Sequence, residues 1–290
     1  MEGAYPESAL LGEEARANPP PMAEPSAAAP GRGDGRAFDL PGGPDAALLL
    51  HGLTGSPFEV RYLAERLHGD GLRCRGPLLP GHASPEELAR RPWRDWIEGA
   101  RAELLQLSGA RRTLVVGCSM GALLACALAR DHAGHVDGLV LLAPALQLAL
   151  PGRLAAWLAR HTPLARAWPY ARKRAGSDVG DDEMRALNPC LDAVPLAAVA
   201  ELEELAAHVD RLLPEVRAPA LVVAGARDHT VTVEGARRMA ERLGGGARLV
   251  VLPRSQHLVG IDVERDRCVE EVRAFLGALP AGGRARSQAR

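Results

Sequence analysis

The chain is almost without lysine: of its 35 Lys and Arg residues, only Lys173 is a lysine. Together with the abundance of Ala, Gly and Pro, this replacement of Lys by Arg reads as coding bias and assigns no chemistry. Net charge is missing as well, because the 35 basic residues meet 36 acidic ones for a formal charge of -1. No field of one sign exists to gather nucleic acid or an acidic membrane, so no nucleic-acid partner is expected. Paired cysteines are absent. Cys74, Cys118, Cys126, Cys190 and Cys268 are odd in number and show no C-x-x-C spacing, which argues against a disulfide framework and a cysteine zinc site. No apolar run reaches the roughly 18 residues that span a bilayer, and the N-terminus lacks a basic-then-apolar leader. A cytoplasmic protein is the expectation. No H-E-x-x-H or similar metal spacing occurs, and neither metal nor cofactor is expected. Oligomeric state is not legible.

What is present is an alternation. Residues 1–36 are rich in Ala, Pro, Gly and Glu without a hydrophobic period and read as a disordered tail, as do residues 280–290. Between them, short apolar runs at 46–50, 113–116, 139–143, 220–224 and 248–252 have strand length. Segments 57–68, 93–107, 120–130, 233–243 and 263–279 carry helical stripes. Strands alternating with helices predict an α/β protein with a mostly parallel, doubly wound sheet covered on both faces. The alternation fails over 145–213, a Pro-punctuated, largely helical stretch, which reads as a cap inserted between a first core part (37–144) and a second (214–279).

Gly117-Cys118-Ser119-Met120-Gly121 matches G-x-S-x-G. The string is weak alone, but here it follows the strand 113–116 and precedes a helix, the setting of a nucleophile elbow in the α/β-hydrolase fold. Ser119 is therefore the candidate nucleophile. The competing readings are a glycine-rich turn with a capping serine, and Cys118 as nucleophile; Cys118 precedes the apex and reads as core packing. Upstream, the strand 46–50 runs into His51-Gly52-Leu53-Thr54-Gly55. The backbone N–H groups of Leu53 and Met120 are the expected oxyanion-hole donors, with His51 bonding its own loop.

The acid and base of such a site follow the serine in the order acid, then histidine. Asp228 follows the strand 220–224 and His257 follows the strand 248–252, which makes them the expected acid and base. His229 is the rival histidine, but as the neighbour of Asp228 it cannot readily face it. Asp262 and Asp266 sit at a helix start and read as capping residues.

The strings Leu48 to Pro57, Gly81-His82, Gly117 to Gly121, Leu213 to His229 and Ser255 to Asp262 resemble the bacterial carboxylesterase and monoacylglycerol lipase branch of the α/β-hydrolases over roughly residues 44–278. The resemblance implies a serine hydrolase that cleaves carboxylic esters, of short to medium acyl chains or monoacylglycerols, through an acyl-enzyme. It also implies a cap acid that contacts a glycerol head group, a place occupied here by Asp182. Departures from the family pattern are Ala83 and Ala122, where glycines are usual. The same constellation also fits thioesters, amides or C–C bonds, and a noncatalytic binding protein is the reading of another class. The amphipathic stretch 146–167, with Trp157 and Arg153, Arg160 and Arg166, reads as cap packing over a small-molecule ester or lipid, with membrane-surface contact as the alternative.

Overall fold

The computed structural model describes residues 33–162, 168–173 and 176–280. Most of both expected tails, and residues 163–167 of the amphipathic stretch, lie outside the described residues.

In chain order the elements are β1 (Phe38–Leu40), β2 (Asp45–Leu50), α1 (Phe58–Gly69), β3 (Arg73–Gly76), α2 (Pro85–Leu88), α3 (Trp93–Leu105), β4 (Arg112–Cys118), α4 (Met120–Asp131) and β5 (Gly138–Leu142). They continue with α5 (Leu150–His161), β6 (Tyr170–Arg172), α6 (Asp182–Leu187), β7 (Ala193–Pro195), α7 (Leu196–Leu212), β8 (Ala220–Gly225), α8 (Val233–Arg242), β9 (Ala247–Leu252) and α9 (Arg265–Ala278). Seven strands form one sheet in the order β1-β3-β2-β4-β5-β8-β9. β1 runs antiparallel to β3 and every other pairing is parallel.

The central strands are apolar runs because both of their faces are covered. β2 reads DAALLL and is buried at all six positions. Its period of two sends Ala46, Leu48 and Leu50 into one core and Ala47 and Leu49 into the other. The first core lies under α3, α4 and α7, with Trp96, Leu124 and Leu205 buried there; the second lies under α1 and α9, with Leu63 and Val272. β2 has β3 on one side and β4 on the other, so the chain direction across the sheet reverses here. A crevice at the carboxyl ends of the strands opens at such a point.

The stretch from β5 to β8, expected to be helical, also holds an antiparallel strand pair. Ala171 faces Val194 across β6 and β7. Each strand has only three residues, too few to register as a strand period. Its last helix, α7, buries Val199, Leu202, Leu205 and Val209 in the same core as α4. The N–H of Gly33 donates to the Leu187 carbonyl at 2.7 Å, so residues 33–36 already touch this region. Among the described residues, no helix is long and apolar enough to cross a membrane.

Candidate active site

β4 ends at Cys118 and α4 begins at Met120, leaving Ser119 alone to reverse the chain. It does so at φ 55°, ψ -112°, a region that residues with a side chain rarely adopt and that costs about 1–3 kcal/mol. Contact explains the flanking glycines. A Cβ on Gly117 would overlap the Gly121 carbonyl, and a Cβ on Gly121 would overlap the Leu50 carbonyl of the neighbouring strand. The Ser119 backbone is pinned on both sides: its N–H donates to Leu142 at 2.8 Å and its carbonyl accepts from Ala122 at 3.1 Å and Ala145 at 3.2 Å. Its hydroxyl makes no cap bond to α4, contrary to the capping reading. Cys118 is buried in the core, and burial pushes its thiol well above the usual range. A thiol held that way is a poor nucleophile.

His257 and Asp228 leave the ends of β9 and β8 and meet, with His257 Nδ1 2.8 Å from Asp228 Oδ2. A carboxylate only accepts, so Nδ1 carries the proton and Nε2 is left as the basic nitrogen. The other carboxylate oxygen, Oδ1, accepts the N–H groups of Thr230 and Val231, both at 2.8 Å, which fixes the plane of the acid. Burial by itself pushes the imidazole pKa down. The charge and hydrogen bond of Asp228 outweigh it, with Asp178 and Glu59 adding in the same direction, and hold it above the ordinary value. His229 turns elsewhere: it is 73% exposed and its Nδ1 donates to Asp178 at 3.0 Å.

The loop after β2 is held by two side chains. His51 Nε2 accepts the Leu79 N–H at 3.0 Å, so Nδ1 is the protonated nitrogen and donates to the Gly52 carbonyl at 2.9 Å. One ring nitrogen bonds its own loop, as expected, and the other ties that loop to Leu79 after β3. Glu59 is the residue that sequence reasoning missed here. Its Oε2 accepts the Gly52 N–H at 2.8 Å, and burial raises its pKa. The signal was present: Glu59 stands with Val60, Leu63, Ala64 and Leu67 on the buried stripe of α1, where an acid has no packing reason to be. Among the described residues, the N–H groups of Leu53 and Met120 have no backbone partner.

These groups meet at a cavity of about 330 Å³. Ser119, His257, Leu53 and Glu59 line its floor, while Leu148, Val194, Val199 and Leu202 from the 145–213 stretch and Leu258 close it with apolar surface. Asp182, the expected head-group contact, is not among the lining residues. Its side chain is 89% exposed at the start of α6 and pairs with Arg185. The acid of this stretch that does reach the cavity is Asp178. It accepts the N–H of His229 at 2.9 Å and the Thr230 hydroxyl at 2.9 Å, tying the stretch to the loop that carries Asp228. Asp262, read as a cap residue, does more. It accepts the N–H groups of Gly180, Asp181, Gln256 and Val263, so one buried carboxylate joins this stretch to the loop before His257.

The Hydrolase_4 family, described as Serine aminopeptidase, S33, matches residues 44–264. The chain belongs to that family. It is 25% identical over 246 residues to a carboxylesterase of Bacillus subtilis, covering 83% of this chain and 96% of that one. It is 27% identical over 241 residues to a thermostable monoacylglycerol lipase of Bacillus sp. (strain H-257), covering 82% and 92%. Among solved structures, a metagenome-derived lipolytic enzyme from the LipS and LipT work superposes with a TM-score of 0.76 at 25% identity, covering 86% of this chain and 98% of that one. The monoacylglycerol lipase of Paleococcus ferrophilus shares the fold, with a TM-score of 0.67 at 18% identity over 83% of this chain and 98% of that one. The protein is an α/β-hydrolase of esterase or lipase type.

Proposed function

We propose that the protein hydrolyses carboxylic esters of short to medium acyl chain, monoacylglycerols among them, with Ser119 as nucleophile, His257 as base and Asp228 as its orienting acid. His257 Nε2 takes the Ser119 proton as Oγ attacks the ester carbonyl. The N–H groups of Leu53 and Met120 receive the negative charge that develops on the carbonyl oxygen. Collapse of the tetrahedral species expels the alcohol, which leaves with the proton held by His257, and an acyl ester on Ser119 remains. Water then gives its proton to His257, attacks the acyl ester and releases the acid, restoring Ser119.

One observation carries this reading: His257, bonded to Asp228 at 2.8 Å, lines the same cavity as a serine held at φ 55°. The strained backbone has no structural duty that an ordinary turn would not perform, and it lifts the hydroxyl away from capping α4. The cavity volume is near the lower limit for ligand sites, which favours modest acyl chains over long ones. Head-group contact is assigned to the groups that line the cavity and not to Asp182. The absence of disulfides among the five cysteines suits a reducing compartment, and a cytoplasmic setting is part of the proposal.

The test is turnover of p-nitrophenyl butyrate together with labelling by a fluorophosphonate. Ser119→Ala should lose at least about 10⁴-fold in kcat and all labelling while keeping its thermal transition. Full activity in Ser119→Ala would end the proposal. Faster cleavage of aminoacyl arylamides than of esters would transfer the same machinery to amides.

A further inference from the structure

The single lysine of the chain lies in this cavity. Lys173 follows β6, and its N–H donates to the Asp192 carbonyl at 3.0 Å, extending the pairing with β7 by one step. The period of two in a strand puts Lys173 on the face of Ala171, opposite that of Arg172. Ala171 is paired with Val194, and Val194 lines the cavity. Register and lining therefore agree: Lys173 is half-buried on the cavity wall, and Arg172 is exposed outside it.

Of the acids that line the cavity with Lys173, Asp178 has both oxygens engaged, one by His229 Nδ1 and the other by the His229 N–H and the Thr230 hydroxyl, while Glu59 gives Oε2 to the Gly52 N–H. Among the described residues, Lys173 forms no ion pair. Much of the rest of the wall is apolar, supplied by Leu53, Leu148, Val199, Leu202 and Leu258. An ammonium on a largely apolar wall with no ion pair is favoured by a ligand that brings an anion to it.

We propose that the cavity selects esters that also carry a carboxylate, and that Lys173 binds that carboxylate. This rests on the hydrolase reading above and narrows its substrate class. The charged group sits either on the acyl part, as in a monoester of a dicarboxylic acid, or on the alcohol part. Lysine suits the task because its ammonium is a compact charge on a flexible stem and can follow a carboxylate on chains of different length. The competing role is that Lys173 only balances the buried charge of Glu59, which feels it.

The experiment compares kcat/KM for two pairs of esters, mono-p-nitrophenyl glutarate against p-nitrophenyl butyrate and 4-carboxyphenyl butyrate against phenyl butyrate, in the wild type, Lys173→Met and Lys173→Arg. The wild type should prefer one of the two charged esters over its neutral counterpart, and the arm that shows the preference locates the carboxylate. Lys173→Met should lower the charged-to-neutral ratio at least about tenfold, chiefly through KM, and Lys173→Arg should restore most of it. Equal losses on charged and neutral esters, or no preference in the wild type, would overturn the assignment. A measurement that needs no variant is available because the chain has one lysine. Reductive methylation followed by mass spectrometry should show Lys173 protected by glutarate and not by glutaramide, and equal protection would count against the proposal. If no ester turns over and Ser119 resists the fluorophosphonate, the hydrolase reading itself fails and this proposal falls with it. Intact ester turnover with an unmoved ratio removes only the role of Lys173.

Discussion

The floor and the roof of the cavity are built on different principles. Around the floor the polar groups are held in place: Asp228 by three donors, His51 by two partners, His257 by Asp228, and the Ser119 backbone by bonds on both sides and two glycines that admit no side chain. The roof is made of the Leu148 loop, the three-residue strands β6 and β7, part of α7 and α5, and α5 leaves Leu150, Leu154 and Trp157 exposed. Rigid placement is what proton transfer and oxyanion stabilisation demand, since an error of an ångström in a reacting group is costly. In the proposed function, the apolar roof with its one cation governs which molecule enters. On that reading, reaction type is set by the floor and substrate by the roof.

The largest effect that probes this contrast is loss of the acid. Asp228→Asn should lower kcat by about 10²–10⁴-fold, because the imidazole loses the partner that fixes its tautomer. The pH profile adds a sign. In the wild type Asp228 holds the His257 pKa above its ordinary value, so the acid limb of kcat/KM should lie above about pH 6.5. Without the carboxylate, burial is the leading influence and disfavours the imidazolium, and the limb should move to lower pH. A limb that stays in place would show that another group titrates there.

Next in size are two substitutions that loosen the floor or its link to the roof. Gly121→Ala drives a Cβ into the Leu50 carbonyl, a backbone atom that cannot swing aside. It should cost about 3 kcal/mol of stability, measured by urea unfolding. Asp262→Asn replaces an acceptor of four N–H groups by one that also presents donors, and should cost about 2 kcal/mol. It should also raise KM more than it lowers kcat, since the Gly180–Asp181 end of the link belongs to the roof. If kcat falls and KM holds, Asp262 serves the base loop alone.

The same division explains what could be read from residues alone. The central strands were legible because burial on both faces leaves an uninterrupted apolar run, as in β2 and β8. The places of the elbow turn, the His51 loop and the loops that carry Asp228 and His257 were legible because each follows an apolar run of strand length, β9 included although it lies at the sheet edge. β1 and β3 were not: β3 reads RCRG, with charges at alternate positions near the sheet edge, and β1 has three residues. Glu59 left a signal that was missed, an acid on the buried stripe of α1, whereas the bridging role of Asp262 was hidden because Gly180 and Asp181, two of the N–H groups it accepts, are remote in sequence. The place of Asp182 came from the family resemblance, in a segment whose geometry depends on tertiary contacts, and Asp178, four residues earlier, is the acid that reaches the cavity. Lys173 was dismissed as composition, since only strand register reveals which way it faces.

The smallest expected effect bears on the roof alone. Trp157 is 55% exposed on α5 and stacks near the His161 ring at 5.4 Å, without entering the core. Trp157→Ser removes an exposed aromatic and leaves the hydrogen bonds of the floor untouched, so unfolding free energy should shift by no more than about 0.5 kcal/mol. Turnover of a soluble butyrate ester should stay within about twofold of wild type, because such a substrate calls on the floor and the inner wall only. A large loss on the soluble ester would mean that the outer surface of α5 is coupled to the floor, and the division between the two regions would then have to be redrawn with α5 on the catalytic side.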